Sequence, residues 1–237
     1  MRRLVFLVLA IAILALSGLW IAHLNRERDD ERARREAVAE TFRVMKERAE
    51  SGDLEAQLTL ADWLRTGVNT LPDPSSAIEL YRRAARAGSA EAARRIGTMY
   101  ETGEGVVLDY LRAADWYRVS VNLGGTPEAF FKLGWLSLYG RGVAYDLRAA
   151  VDWFERAAKD GHGVAQYLLG AIHDEGWGIQ PDVVKAYAWY TKALPRRDAV
   201  LAFNAKFDPR AARDHLAKRM NSQQIREGEA MARGDMR

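Results

Sequence analysis

A sequence unit of about 36 residues recurs four times along this chain of 237 residues and constrains its fold more than any other feature. Each copy contains a glycine, an aspartate six residues later, an alanine four residues after that, and a leucine or tryptophan a further three residues on. An upstream alanine recurs at intervals of 36, 37 and 36 residues. Such a period predicts a solenoid, in which each unit buries its apolar face by stacking on its neighbours. The aligned stretches are Gly67–Tyr81, Gly103–Tyr117, Gly140–Phe154 and Gly176–Tyr190.

The Gly-x-Gly pairs of copies two to four are interpreted as turns. A glycine pair before a helical pattern can also hold a phosphate on backbone N–H groups at a helix N-terminus. These pairs, however, recur at the repeat interval with a tryptophan at a fixed distance, as in Gly103, Gly105 and Trp116. A nucleotide site has no reason to recur in this way, so the glycines are predicted to be turn residues.

Each unit is predicted to contain two helices. In the third copy, Ala129, Leu133 and Leu136 follow the three-and-four spacing of one helical face. The aspartate after the glycine turn is placed to cap the second helix by accepting a hydrogen bond from an exposed N–H group. A glycine inside the first helix is expected only where another backbone must approach closely. The aspartates are Asp73, Asp109, Asp146 and Asp182, the small residues are Ala61, Gly97, Gly134 and Gly170, and the expected C-terminal cap glycines are Gly88, Gly124 and Gly161.

The pattern A-x-x-x-L-G-x-x-Y, G-x-G-V, D-x-x-x-A-x-x-W-Y and A-A-x-x-G resembles the Sel-1-like repeat (SLR) family, a relative of the tetratricopeptide repeats. The resemblance covers residues 52–194 as units 52–88, 89–124, 125–161 and 162–194. It implies an all-α fold, a right-handed α-solenoid of helix-turn-helix repeats, used as an adaptor or scaffold without catalytic residues. The first copy lacks the Gly-x-Gly pair and the tryptophan, and the tyrosine column is kept only at Tyr100.

The N-terminus predicts a transmembrane signal-anchor at residues 1–24. Residues 4–24 carry no charge apart from His23, and at ~1.5 Å each they span roughly 30 Å, the thickness of the hydrocarbon core of a bilayer. The alternative is a cleaved signal peptide, with Ala15-Leu16-Ser17 as the cleavage site before Gly18. The apolar stretch continues past that site to Leu24, which favours the anchor.

The expected location is a bacterial inner membrane, crossed once, with the repeats in the periplasm as the family resemblance implies. Counting of positive charges points the other way, because more arginines follow the apolar segment than precede it. A cytoplasmic orientation therefore stays open. Residues 25–51 mix arginine and acid at helical spacing and are interpreted as a charged helical spacer, and residues 195–237 as a C-terminal helical cap. In the cap, Asp208-Pro209 is expected to start one helix, and Asn221 with Gln224 to form a capping box for the last.

Composition excludes several classes of chemistry. The net charge is +3 and no run of five basic residues occurs, so no nucleic acid partner is expected. The absence of cysteine excludes disulfides, thiolate catalysis and cysteine zinc sites. Nucleotide, hydrolase and metalloprotease motifs are missing, so the chain is not expected to be an enzyme or to hold a metal or a small-molecule cofactor. His173, beside Asp174 and Glu175, is interpreted as an inner packing position.

One feature exceeds what the repeat requires. If the first helices line a concave groove, as in tetratricopeptide repeats, the inner positions of copies three and four present aromatic and aliphatic side chains where copies one and two are mostly polar. Concentrated exposed aromatics mark binding sites. The sequence therefore predicts a membrane-anchored scaffold that binds a protein or peptide partner in this groove. The alternatives are packing between repeats, which would leave a structural spacer, and a cell-envelope enzyme or regulatory subunit acting on peptidoglycan or peptides. The predicted partner-binding residues are Phe131, Trp135, Leu138 and Tyr167.

Overall fold

The computed structural model describes the backbone of residues 2–235 and, within that range, the side chains of residue 20 and of residues 23–235. The described residues form helices and turns and no strand, in agreement with the predicted all-α fold. The helices are α1 (Arg2–Glu50), α2 (Leu54–Thr66), α3 (Pro74–Arg86), α4 (Ala90–Thr102), α5 (Tyr110–Asn122), α6 (Pro127–Tyr139), α7 (Leu147–Lys159), α8 (Gly163–Glu175), α9 (Val183–Ala193), a 3₁₀ turn (Leu194–Arg196), α10 (Arg197–Phe203), α11 (Pro209–Ala217) and α12 (Ser222–Arg233). They group into two units, Met1–Pro72 and Asp73–Arg237.

In the first unit, the end of α1 packs on α2. Ala49 is fully buried, and the Gln57 side-chain amide donates a hydrogen bond of 3.1 Å to its carbonyl oxygen. Between residues 23 and 41 every side chain of α1 is exposed, so ion pairs along the helix support it, such as Arg32–Glu36 at 2.9 Å. In the part of the chain that the structure describes, no helix combines the length and the apolar composition needed to cross a bilayer. The predicted anchor at residues 1–24 falls mostly on residues whose side chains lie outside the described part.

In the second unit, each second helix begins where the sequence predicts. The predicted aspartates occupy the N-cap positions of α3, α5, α7 and α9, and each side chain accepts a hydrogen bond from the backbone of the first helical turn. In α7 this bond runs from the N–H of Ala149 to Asp146 Oδ1 at 2.9 Å. The aspartate column is therefore a capping column, as predicted.

The second glycine of each Gly-x-Gly pair is a packing residue between repeats. Gly105 has a φ of 70°, and a Cβ atom built on it would stand 2.0 Å from Cβ of Pro74, at the start of the preceding second helix. Gly142 likewise meets the backbone of Tyr110, at 2.2 Å from its carbonyl oxygen. Only glycine permits both the left-handed backbone and this approach. This geometry accounts for the glycine pairs without a phosphate.

Aromatic rings make the closest approach to the glycines inside the first helices, whereas the sequence predicts the approach of another backbone. A Cβ atom on Gly97 would stand 2.6 Å from the ring of Tyr117. The same contact joins Gly134 to Phe154 and Gly170 to Tyr190. These aromatics follow the repeat tryptophans by one residue and are buried, whereas Trp116, Trp153 and Trp189 are only partly buried. In α5, α7 and α9 the core anchor is therefore the residue after the tryptophan, because its ring lies against the glycine of the first helix.

Beyond the last repeat, α11 and α12 pack on α9. Gly228 of α12 lies against the Tyr187 ring, where a Cβ atom would stand 2.8 Å from Cδ1. Asp208 caps α11, and Asn221 with Gln224 forms the predicted capping box at the start of α12. The residues that follow the repeats thus cover the exposed side of the final repeat helix.

Candidate functional site

Four side chains of α6 and α8 form the surface that we call the aromatic wall. The structure brings together all the side chains that the sequence predicts for the groove, because α6 and α8 are first helices of adjacent repeats. They contribute to or pack against one apolar cluster, into which Val200 of α10 is fully buried. The aromatic wall consists of Phe131, Trp135, Leu138 and Tyr167.

Phe131 is buried, with an exposed fraction of 2%. Its ring stacks on His162 at a centroid distance of 4.4 Å and lies 5.8 Å from both Trp135 and Phe154. The expectation that Phe131 lies exposed on a groove wall is therefore wrong. The physical reason is that the neighbouring repeat and α10 cover the ring, since Phe203 meets it edge-on at 5.6 Å.

The other three members of the wall are half-buried. Trp135 packs on Tyr139 at 4.7 Å and meets Phe203 edge-on at 5.3 Å. Tyr167 lies between Tyr190 at 5.4 Å and Phe207 at 4.8 Å. Burial raises the pKa of Tyr167, and nearby carboxylates add to the effect, so its hydroxyl stays a neutral donor at physiological pH.

A polar region borders the wall on α4. Arg94 donates to both carboxylate oxygens of Glu91, at 2.6 and 2.7 Å. Further along, Tyr117 donates its hydroxyl hydrogen to Glu101, whose carboxylate also pairs with Lys132 of α6 at 3.1 Å. Burial and the charge of Glu101 raise the pKa of Tyr117 strongly, which keeps this hydroxyl protonated.

His162 joins the polar region to the wall. The N–H of Ala165 donates to its Nδ1 at 3.2 Å, so Nδ1 carries no proton and Nε2 donates to Glu128 Oε2 at 2.9 Å. Burial favours a higher pKa for Glu128, but the hydrogen bond from His162 and the charges of Lys132 and Arg94 outweigh it and lower the pKa. Histidine is not a usual N-cap residue, so its role at the start of α8 was not predicted.

Two open clefts meet at Glu128 and His162. One, of about 310 Å³, is bounded by Phe131, Val164 and Phe203. The other, of about 590 Å³, extends along the starts of α4, α6 and α8. Both apolar and charged groups therefore line these clefts beside the aromatic wall.

The residues that sequence reasoning missed are Phe203 and Phe207. They lie beyond the last repeat, in a region interpreted only as a cap. The available signal was two phenylalanines four residues apart in a segment that no repeat column requires. Phe203 keeps 43% of its surface exposed although it contacts two rings of the wall.

Clusters of potential metal ligands and the buried His173 were the remaining candidates for a chemical site in the described part of the chain. It contains no group of three or more histidine, aspartate or glutamate side chains able to hold a metal ion. His173 is buried, as expected for an inner packing position, and burial lowers its pKa. At neutral pH this imidazole is therefore uncharged.

Comparisons with known proteins give the family. The sequence model of the Sel1 repeat matches residues 54–89, 90–125, 127–162 and 163–194, more than half of the chain. The chain is similar to the crystal structure of a protective antigen with an SLR fold, present in uropathogenic Escherichia coli strains, at 37% identity and a TM-score of 0.62. That match covers 65% of this chain but only 33% of the antigen, so the chain spans about a third of its length. A Sel1 repeat protein from Oxalobacter formigenes matches at 28% identity and a TM-score of 0.65, over 84% of this chain and 80% of that one. No curated protein matches the sequence. The four matched units, with the capped second helices and glycine-to-ring contacts described above, place this chain in the Sel1 repeat family.

Proposed function

We propose that this protein is a membrane-anchored scaffold that binds a protein or peptide partner on the first-helix surface of its repeats. Sel1-repeat proteins are generally protein-interaction scaffolds, and the repeat is a non-catalytic protein-interaction fold. The observation that carries the proposal is the aromatic wall beside the two clefts. Half-buried Trp135 and Tyr167 offer large apolar contacts next to the Glu128–His162 hydrogen bond and the Arg94–Glu91 ion pair, a combination typical of interaction hot spots.

The membrane part of the proposal rests on the sequence. The uncharged stretch at residues 4–24 is long enough to anchor the chain in a bacterial inner membrane. The exposed charged helix that follows, with its internal ion pairs, suits a spacer between the bilayer and the repeats. We place the repeats in the periplasm, and a reporter fused after residue 237 distinguishes this orientation from the cytoplasmic one.

The experiment is a capture of cross-linked partners by full-length, tagged protein from its native cells. Trp135→Ala is the test variant, and Trp153→Ala is the matched control, because both tryptophans are half-buried and Trp153 lies on a second helix. Loss of an interface anchor costs about 2 kcal/mol or more, which corresponds to roughly 30-fold weaker capture. Trp135→Ala is expected to show that loss and Trp153→Ala to keep its partners. Equal capture by both variants would contradict the proposal and favour a structural spacer.

A further inference from the structure

The aromatic wall already holds a ligand-like segment of the same chain. Phe203 meets the rings of Phe131 and Trp135 edge-on at 5.6 and 5.3 Å, and Phe207 stacks on Tyr167 at 4.8 Å. The two phenylalanines stack on each other at 6.2 Å. Two rings four residues apart thus engage side chains from two adjacent repeats.

The contacts of this segment with the wall are made by its rings. The described hydrogen bonds of residues 203–208 are internal or join α10 and α11, such as the N–H of Phe207 to the carbonyl of Asn204 at 2.8 Å. The segment is held at its two ends instead. Val200 is fully buried on one side, and Arg197 pairs with Asp208 at 2.7 Å to close the loop. The rings therefore meet the wall between two anchored ends, and no backbone or side-chain hydrogen bond described for this segment joins it to the wall.

The position of Phe203 also separates this segment from ordinary core. Phe203 has an exposed fraction of 43%, which is high for a core phenylalanine, and it lines the open cleft of about 310 Å³. In contrast, Leu216 of α11 is fully buried against the last repeat helix. The C-terminal cap thus has a closed part on α9 and an open part on the wall.

We infer that the aromatic wall is a binding site for a peptide segment carrying two aromatic side chains four residues apart, and that Phe203 and Phe207 occupy this site until such a partner displaces them. The inference rests on the proposed function and names both the partner chemistry and its regulation. A tethered segment has an effective concentration in the millimolar range, so only a partner with additional contacts competes with it. The clefts lined by Glu128 and His162 provide room for those contacts.

The test uses a fluorescent synthetic peptide of residues 197–210 and the full-length protein in detergent. Wild-type protein is expected to bind it weakly, because the site is filled in cis. Phe203→Ala/Phe207→Ala empties the site and is expected to bind the peptide at least about tenfold more tightly. Adding Trp135→Ala to that variant should abolish binding. Leu111→Ala, an exposed apolar position on α5, is the control and should bind like wild type.

A peptide with alanine at both phenylalanine positions completes the test and should not bind to any variant. Equal binding of the two peptides, or no binding to the emptied variant, would overturn the inference. A large fall in the melting temperature of Phe203→Ala alone would overturn it as well, because the segment would then be structural. If the peptide fails while partner capture still depends on Trp135, the proposed function stands and only the ligand assignment falls. If capture does not depend on Trp135, the proposed function falls whatever the peptide does.

Discussion

The ring of Phe154 lies 2.7 Å from the point where a Cβ atom would stand on Gly134. Equivalent contacts join Tyr117 to Gly97 and Tyr190 to Gly170, so this contact holds the two helices together in the second, third and fourth units. It fixes the second helix of a unit against the first, and with it the direction in which the first helix presents its remaining side chains.

Filling this contact should destabilise the fold. Gly134→Ala places a methyl group within 2.7 Å of the Phe154 ring and 3.1 Å of the Ala150 carbonyl oxygen. Overpacking of this kind costs about 1–3 kcal/mol, of which the better helix propensity of alanine offsets roughly 1 kcal/mol. Urea denaturation is expected to show a lower free energy of unfolding. A higher value would mean that the two helices are not in close contact.

Removing the ring should cost more than removing the neighbouring tryptophan. Phe154 is fully buried, so Phe154→Ala is expected to lower the free energy of unfolding by about 3–5 kcal/mol. Trp153 is half-buried, stacked on Phe130 at 6.2 Å, and its loss should cost about 1 kcal/mol. Because neighbouring units stabilise one another, Phe154→Ala should also broaden or split thermal unfolding. The reverse order of the two variants would mean that the tryptophans are the core anchors.

The aspartate column predicts a measurable capping energy. Asp146→Ala removes the acceptor for the N–H of Ala149 and should cost about 1 kcal/mol. Asp152→Ala is the control, since Asp152 is exposed on the same helix and carries the same charge. Its effect should stay within about 0.5 kcal/mol. Similar losses in both variants would point to net charge and not to capping.

The Arg197–Asp208 pair predicts a pH effect at the open part of the C-terminal cap. The hydrogen bonds and charge of Arg197, helped by the backbone N–H groups of Arg210 and Ala211, lower the pKa of Asp208 from 3.8 to about 2. A carboxyl group whose pKa is lowered by folding stabilises the fold at pH values above its pKa in the unfolded chain. That contribution is lost as the pH falls from 3.8 through about 2. Arg197→Gln should raise the pKa of Asp208 towards 3.8, as read from the carboxyl carbon by NMR titration. Its stability deficit relative to wild type should shrink over the same pH range, and an unchanged pKa would exclude the pair.

Removing the predicted anchor should change the cell fraction in which the protein is found. Deleting residues 1–24 should move the protein from the membrane pellet to the soluble fraction, because the uncharged segment is removed. Helical circular dichroism should be retained, since the repeats and their caps lie elsewhere in the chain. Truncated protein that stays in the pellet after an alkaline wash would contradict the anchor. Mature wild-type protein that begins at Gly18 would establish the cleaved signal peptide instead.

The repeat, its helix boundaries and its caps could be predicted from the sequence because they depend on local chemistry. Asp146 caps the helix that directly follows it, and Gly140 ends the helix before it through its own left-handed backbone. Both roles depend only on neighbouring residues, so they can be predicted from the repeat pattern. The right-handed sense of the superhelix, the membrane segment and the partner remain predictions of the same sequence.

The identity of the core aromatic and the state of the candidate site depended on tertiary structure. Phe154 and Trp153 are adjacent in sequence, and only the angle between two helices decides which ring faces Gly134. The residues of the aromatic wall lie in repeat columns, but their cover by Phe203 and Phe207 joins residues between 40 and 72 positions apart that share no pattern. Local propensity contains no information about such a contact, because burial depends on which distant segment arrives at a surface.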